Sequence, residues 1–410
     1  MRVLMSAYAC EPNRGSEPGV GWNWALQAAR FHEVWVLTRA NNRAAIDAEL
    51  QRRPVPNLHL VYHDLPRWAR FWKRGGRGVH LYYLLWQFTA PRAARAAHRR
   101  RRFDLIHHVT FNAVDSPGWL WRLGLPFVWG PVGGGQEPPP ALKGYFGRAW
   151  GRERRRIARK RLTRFNPVVR AAVRSAACIL VANTDTQRLL SRLKPAVLIR
   201  EVETAVKVPD PPVPPVPPRV PNVAGISILW AGLLIPRKAP LLAVDVLAEL
   251  RRREVAARLQ FVGDGPLRGQ IEAHAHALGI ADAIDLRGRV PYEAMSRCYA
   301  SADVFLFTSL QDTSGNVLLE AMAHGLPVVT LDHQGAAEIV AADCGIKIPI
   351  GEPPRVIAGF GDALERLAAR PELRHTLGEA GRRRVAERYR WDRKGDLLRQ
   401  LYARAVGVTS

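Results

Sequence analysis

The sequence predicts an α/β chain built as two domains, and three observations carry that prediction. Short apolar runs such as Ile226–Ala231 and Val304–Phe307 hold no alternating polar residue, the pattern of parallel strands buried on both faces. Segments with helix start and stop signals separate these runs. Midway along 410 residues, a length that supports two separate cores, lies PDPPVPPVPPRVP (Pro209–Pro221). A stretch so rich in proline forms neither helix nor sheet and reads as an extended, semi-rigid connector. The expected divisions are a first domain over 1–208, the connector over 209–223, a second domain over 224–388 and a closing helical segment over 389–410.

In chain order, Arg2–Ala9 reads as the first strand and runs into Glu11-Pro12-Asn13-Arg14-Gly15-Ser16-Glu17-Pro18-Gly19-Val20-Gly21-Trp22, before a helix over Asn23–Arg30. Glycines between a first strand and a helix let backbone approach a phosphate or sugar closely, and a tight turn without ligand has the same composition. The spacing is not GxGxxG, so it gives a nicotinamide site little support. Glu33–Arg39 is the second strand. Asp104–Val109 is a further buried strand, and Thr110–Ser116 is the loop at its C-terminal end, where open α/β sheets place active-site residues. After Phe127–Pro131, the run Gly133, Gly134 and Gly135 implies close backbone approach, to substrate or within a flexible turn. Cys178–Ala182 reads as the last strand of this domain, followed by a helix from Asp185.

The second half opens with Ile226–Ala231, followed by Gly232-Leu233-Leu234-Ile235-Pro236-Arg237-Lys238 and a helix from Pro240. Adjacent cations at a helix start, at the C-terminal end of a strand, suit a diphosphate; as solvated surface they would look the same. Leu259–Gly263 and Ile284–Gly288 continue the strands. After Val304–Phe307 and a polar loop, a helix is expected from Asn316, capped by Thr313 or Ser314 and stopped at Gly325 with Pro327 beyond, before a strand over Leu326–Leu331. Its N-terminus would aim N–H groups at the mouth of a parallel sheet, an anion-binding position. Glu320 interrupts Val317-Leu318-Leu319 and Ala321-Met322-Ala323 in this helix. Burying such a carboxylate without partners costs roughly several kcal/mol, so it requires hydroxyls or amides unless it escapes to solvent. Asp312 stands eight residues earlier, on the loop feeding the helix.

Composition is ordinary for a globular protein, with 47% hydrophobic and 24% charged residues, but 61 Lys plus Arg against 36 Asp plus Glu leave a net charge of +25. The partners implied are anionic: nucleotide phosphates, lipid headgroups or nucleic acid. From Arg67, Trp68, Arg70, Phe71, Trp72, Lys73, Arg74 and Arg77 the chain runs into His80–Trp86, a basic and aromatic interleaving that suits anionic lipid. Phe146, Trp150, Ile157, Leu162, Phe165 and Val169 fall near helical spacing among dense arginines, a second such surface unless they face the core. Nucleic acid would accept the same charge, yet no helix-turn-helix, zinc-finger or RNP-like signature accompanies it. Four cysteines, Cys10, Cys178, Cys298 and Cys344, are scattered without a CxxC pair, which argues against disulfides and zinc and for a reducing cytoplasm. No run reaches the length of a membrane span, and the N-terminus lacks the apolar stretch of a signal peptide.

The stretch DTSGNVLLEAMAHGLPVV resembles the donor-site motif of GT-B glycosyltransferases of family 4, in which an acid, seven residues and a second acid flank a diphosphate-binding helix start. The resemblance implies two Rossmann-like domains facing across a cleft, with nucleotide on the second, acceptor on the first and the last helical segment crossing back onto the first. It assigns the donor sugar to Asp312, the diphosphate to Gly315, Asn316, Val317 and Leu318, and the ribose to Glu320, with Ser314 also among the donor-binding residues. The first acid is Asp here, a methylene shorter than the usual Glu. The family's Lys matches Lys238 in the loop after Gly232, while its Arg position holds Leu233 and leaves Arg237 as the compensating charge. Gly288 and Val290 fall where backbone reads the base, and Gly15 near the donor phosphates or acceptor. A family His that contacts the transferred sugar aligns with Val109, so His107 and His108 are the candidates, each with a core role as its alternative. The implied reaction is retaining transfer of a hexose from a nucleotide diphosphate sugar to a hydroxyl of a saccharide or lipid-linked acceptor, in cell-surface or exopolysaccharide synthesis. No Asp-x-Asp occurs, so neither metal nor cofactor is expected; a cytoplasmic protein on the inner face of an anionic membrane is. Two alternatives stay open: an epimerase on the same fold, and a basic nucleic-acid or membrane-binding protein with an inactive donor site.

Overall fold

Apolar runs too short to form helices become parallel strands in two separate sheets of the computed structural model, which describes residues 1–70, 72, 78–206, 225–291 and 294–407. The connector expected at 209–223 lies outside the described residues, as do Phe71, Lys73, Arg74 and Arg77 of the basic and aromatic stretch. The first sheet comprises β1 (Arg2–Ser6), β2 (Glu33–Thr38), β3 (Leu58–Tyr62), β4 (Leu105–His108), β5 (Phe127–Val132), β6 (Ala176–Val181) and β7 (Leu198–Arg200), ordered β3-β2-β1-β4-β5-β6-β7. The second comprises β8 (Ile226–Ala231), β9 (Ala257–Val262), β10 (Ile284–Gly288), β11 (Val304–Phe307), β12 (Val328–Leu331) and β13 (Gly345–Ile348), ordered β10-β9-β8-β11-β12-β13. Each order reverses once, between β1 and β4 and between β8 and β11, and such reversals are where α/β sheets open a crevice at their strand ends.

The sequence missed three of the four edge strands, β10 being the exception. β3, β7 and β13 carry half-buried or exposed residues and so lack a continuous apolar signature, and β7 rather than β6 closes the first sheet. The first helix starts at Ser16 rather than Asn23, so Gly19 and Gly21 lie inside it. A Cβ on Gly19 would sit 1.9 Å from the Arg14 carbonyl oxygen and one on Gly21 2.1 Å from that of Ala9. These two glycines therefore let a helix press against the strand end before it.

The chain divides into two units, and their bounds differ from the expected ones. The first unit takes Met1–Gly135, Arg159–Thr204 and the chain from Trp391; the second takes Gln136–Ala158 and Ala205–Arg390. Gln136–Ala158 was expected in the first domain. Its Leu142 and Phe146 instead enter the second unit's core, with Trp150 packed against it, and the Tyr145 hydroxyl donates to Asp245 at 2.7 Å. The residues expected on one lipid-facing helix over 146–169 do not share a face: Phe146 and Trp150 belong to one core, Val169 to the other, and only Leu162 and Phe165 are exposed.

Helix Trp391–Val406 buries Trp391, Lys394, Gly395, Leu398, Leu401 and Tyr402, a helical stripe laid against the first unit. Trp391 meets Trp24 edge to face, and Arg30 donates to the Asp392 carbonyl at 2.8 Å. Lys394, only 2% exposed, donates to the Val202 carbonyl at 2.6 Å and pairs with Glu201. Replacing Lys394 by Met strands that carbonyl and that carboxylate, so the variant should lose about 2–4 kcal/mol, read as a lower urea midpoint at unchanged m.

Candidate active site

At the β8/β11 reversal two loops are laced together before any ligand is considered. Leu310 and Gln311 donate their amides to the Arg237 carbonyl at 2.9 and 3.2 Å, and the Arg237 guanidinium donates to the Gln311 carbonyl at 3.3 Å. Thr308 Oγ1 accepts from Trp230 Nε1 at 3.0 Å and lies 2.9 Å from the Ala239 carbonyl. Ala239 turns the chain with φ 45°, a left-handed conformation held by these contacts. The lacing brings Lys238 to Asp312, and the two form an ion pair with side chains only 15% and 17% exposed. Lys238 Nζ also stands 5.5 Å from the centroid of Phe307, the last residue of β11.

Gly315 begins the helix Asn316–Ala323 with φ 88°, and a Cβ there would press Phe307 and Leu318 at 3.1 Å each. Only glycine suits both the dihedral and the space. The caps expected at Thr313 and Ser314 do not form: Gly315 is the N-cap and no side chain caps the helix. Thr313 Oγ1 instead accepts from Gln136 Nε2 at 3.0 Å. The first-turn N–H groups at Asn316 and Val317 follow Asp312 by a few residues and open a helix start whose partial positive charge attracts anions.

Glu320 is half-buried one turn further on and accepts from the Tyr299 hydroxyl at 2.8 Å. Burial raises its carboxyl above the usual carboxylate range, and the Tyr299 bond opposes that rise. Tyr299 is in turn stacked on His324, ring centroids 5.0 Å apart. Gly232, Gly263 and Gly288 mark the C-terminal ends of β8, β9 and β10, with Gly232 N–H on the Val262 carbonyl at 3.0 Å and Gly263 N–H on the Gly288 carbonyl at 2.8 Å. A Cβ on Gly263 would fall 1.8 Å from the Gly232 oxygen, so these turns need glycine for packing within the unit. Val290 is half-buried beyond β10, and Leu233, at the resembled family's Arg position, is 49% exposed.

Two glutamines that the sequence did not single out hold Asp312 in place. Gln334 accepts from the Asp312 amide at 2.9 Å and donates to the Glu137 carbonyl at 2.8 Å, with its side chain buried and its backbone at φ 52°. A non-glycine residue in that region is strained, and its two buried hydrogen bonds offset the strain. Gln311 donates to the Gln136 carbonyl at 3.0 Å and to Glu153 at 3.1 Å. An isolated glutamine carries no sequence signal for such a role.

Residues 225–370 match the family described as Glycosyl transferases group 1. A GDP-mannose-dependent alpha-(1-6)-phosphatidylinositol monomannoside mannosyltransferase of Mycobacterium tuberculosis is 32% identical over 166 residues, covering 39% of this chain and 42% of that protein. The D-inositol 3-phosphate glycosyltransferase of Frankia alni is 27% identical over 388 residues, 87% of this chain and 86% of its own. The chain spans less than half the length of the first curated relatives it matches, at 42% and 46%. Among solved structures, sucrose-phosphate synthase from Thermosynechococcus elongatus aligns over 100% of both chains with a TM-score of 0.67 and 18% identity. The chain has the GT-B fold, and its residues 225–370 are similar to the glycosyl transferases group 1 family.

In the first unit of this GT-B fold the candidates separate by sheet face. His107 Nε2 donates to the Gly130 carbonyl at 2.8 Å, and its Nδ1 accepts from the Tyr402 hydroxyl at 2.6 Å. Both nitrogens are therefore committed, burial lowers its pKa to about 4, and its role is to tie helix Trp391–Val406 to the sheet. His108 faces the other way, 3.4 Å from the Tyr83 hydroxyl, with Nδ1 buried and unpaired and its pKa lowered by burial to about 3. Gly133 bridges to Ala113, and Gly135 donates to Thr186 Oγ1 at 3.1 Å, where a Cβ would lie 2.5 Å from Thr186 Cα. Gly134 turns the chain with φ 94°. The triple glycine is thus explained by packing inside its own unit, and Gly15 is the exposed N-cap of Ser16–Ala29. Glu17, in the first turn of that helix, was also missed: it accepts the Phe111 amide at 2.8 Å, and burial raises its carboxyl.

Two measurements follow from these contacts. Because the folded pKa of His107 lies near 4 against 6.5 unfolded, the unfolded chain binds more protons between those values, so stability present above pH 6.5 falls as pH drops toward 4. His107→Gln should flatten the urea stability profile in that window. Gln334→Gly relieves the backbone yet strands the Asp312 amide and the Glu137 carbonyl, and it should raise the KM for donor more than it lowers kcat, by roughly tenfold or more for the two lost buried hydrogen bonds. Gln334→Glu keeps the acceptor to Asp312 and should recover part of it.

Proposed function

We propose that the protein is a retaining glycosyltransferase of the family 4 type that moves a hexose from a nucleotide diphosphate sugar to a hydroxyl of a saccharide or lipid-linked acceptor. The observation that carries this reading is the convergence, within the residues similar to the group 1 family, of Lys238, Asp312, the Gly315 helix start and Glu320 at the β8/β11 reversal. A GDP-mannose-dependent relative, similar over 166 residues, supports a nucleotide-sugar donor, and the D-inositol 3-phosphate glycosyltransferase supports a hydroxyl acceptor.

In this reading Glu320 accepts from the ribose diol while Tyr299 holds its other side. Asp312 accepts from sugar hydroxyls. Lys238, Arg237 and the first-turn amides take the diphosphate, a preorganised positive site in the place of a metal. Among the described residues no group of three or more His, Cys, Asp or Glu is placed to hold a metal ion. The bond from the anomeric carbon to phosphate oxygen breaks as the acceptor oxygen joins the same face, and the departing diphosphate receives the acceptor's proton. Charge then builds on that diphosphate, beside Lys238, so the cation binds the transition state more strongly than the ground state. A product bound for cell-surface or exopolysaccharide assembly fits a saccharide or lipid-linked acceptor.

A thermal-shift panel of UDP, GDP, ADP and TDP sugars should pick out one donor. With that donor, Glu320→Ala should lower kcat/KM by about 2–3 kcal/mol by removing the acceptor for the ribose hydroxyls. Unchanged turnover and nucleotide affinity in this variant would remove the basis for the assignment.

A further inference from the structure

Helix Val79–Arg101 turns two of its surfaces in opposite directions. Tyr82, Tyr83, Trp86, Ala90 and Ala94 face the first unit's core, while Leu81, Leu84, Leu85 and Phe88 stand outward at 54%, 55%, 39% and 67% exposure. The outward four follow the i, i+3, i+4, i+7 rule of a helix face, so they form a stripe rather than scattered apolar residues. The same face continues C-terminally through Arg92, Arg95 and Arg99, all exposed, and the 23-residue helix contains no acidic residue.

Aromatic residues extend this surface sideways. Phe88 meets Trp119 edge to face at 6.3 Å, Trp119 stacks on Trp121 at 6.4 Å, and the Arg122 guanidinium lies 5.7 and 5.9 Å from those two rings. Arg159 pairs with Asp115 at 3.1 Å and brings the next segment to the same loop. That segment presents Leu162 and Phe165, 62% and 61% exposed, with Arg164 over the Phe165 ring at 4.6 Å. Apolar side chains that water should cover thus alternate with arginines resting on aromatic faces, the arrangement of side chains at headgroup depth.

We propose that this face is the docking surface for an anionic lipid bilayer, with Leu84 and Phe88 inserted at the boundary of headgroup and acyl chain and Arg92, Arg95 and Arg99 on lipid phosphates. Leu81 to Phe88 covers about 10 Å of helix, and Arg92 to Arg99 about the next 10 Å, so a helix lying in the interfacial plane seats both halves at once. The alternative occupant, a second copy, would bring another chain of net charge +25 against this cationic face. Like charge opposes that pairing and favours the lipid. The inference rests on this surface alone and stands apart from the donor chemistry.

The test is co-sedimentation of the full chain with phosphatidylcholine vesicles, with and without about one-third phosphatidylglycerol. The protein should pellet with the anionic vesicles only. Leu84→Glu/Phe88→Glu should weaken binding about tenfold or more, and so should Arg92→Glu/Arg95→Glu, which leaves every buried side chain in place. A charge reversal that still binds like the parent overturns the proposal. So does pelleting of the Leu84→Glu/Phe88→Glu variant at parental levels, or a concentration-dependent dimer in sedimentation velocity that this variant abolishes.

Discussion

The second unit depends on one carbonyl. The oxygen of Arg237 accepts from two successive amides, Leu310 and Gln311, and so fixes the loop after β8 to the loop after β11. The loop after β8 has only the single 3-10 turn Pro236–Lys238 to hold it there, and the loop after β11 has no regular element. Without that double acceptor Lys238 and Asp312 would be two charges on two independent turns, and their pairing would carry the entropy cost of ordering both. With it, the pair is preset, and Phe307 and Gly315 complete a small enclosure in which a cation stands beside a helix start. The Gln334 side chain then satisfies the Asp312 amide and the Glu137 carbonyl, the Gln311 side chain satisfies the Gln136 carbonyl, and the Gln136 side chain donates to the Thr313 hydroxyl, so polar groups of these irregular turns are not left buried and unpaired.

The same economy explains why the carboxylates are tolerated. Asp312 is neutralised by Lys238, and Glu320 has Tyr299. Each is only partly buried, so neither bears the full desolvation cost of an isolated interior charge. The first unit treats its polar groups differently. His107 and His108 are held neutral by burial, one bound on both nitrogens and the other with a nitrogen left unpaired. The alternation of a strand sends these adjacent rings to opposite faces, which is why neighbours in sequence have unrelated roles.

Buried strands and helix stops were legible because their signal is local: an apolar run, a proline, a glycine past the last turn. β8 and β11 were read to the residue for that reason, and β10, an edge strand of alternating exposure, by its own alternation before Gly288. The edge strands β3, β7 and β13 were not, since a half-exposed strand is written in pairing, and pairing lies outside its own sequence. At the candidate site the charged and glycine positions stood out against their surroundings. Gln334, Gln311 and Tyr299 did not, because a hydrogen bond between residues tens of positions apart leaves no periodicity. The glycines misled in a particular way. Gly19, Gly21 and Gly135 are needed where backbone presses on backbone, and composition cannot distinguish that from the approach of a ligand.

The insertion of Gln136–Ala158 into the second unit changes what the word domain means for this chain. The polypeptide passes between the units at 135/136, 158/159, 204/205 and 390/391, so no single cut releases either one whole. A fusion that exchanged the carboxyl half at the connector would leave Leu142 and Phe146 behind and open their sockets in the incoming core. Recombination between relatives is therefore penalised at the place where the sequence looks most severable, and the two halves are bound to diverge as one inherited block.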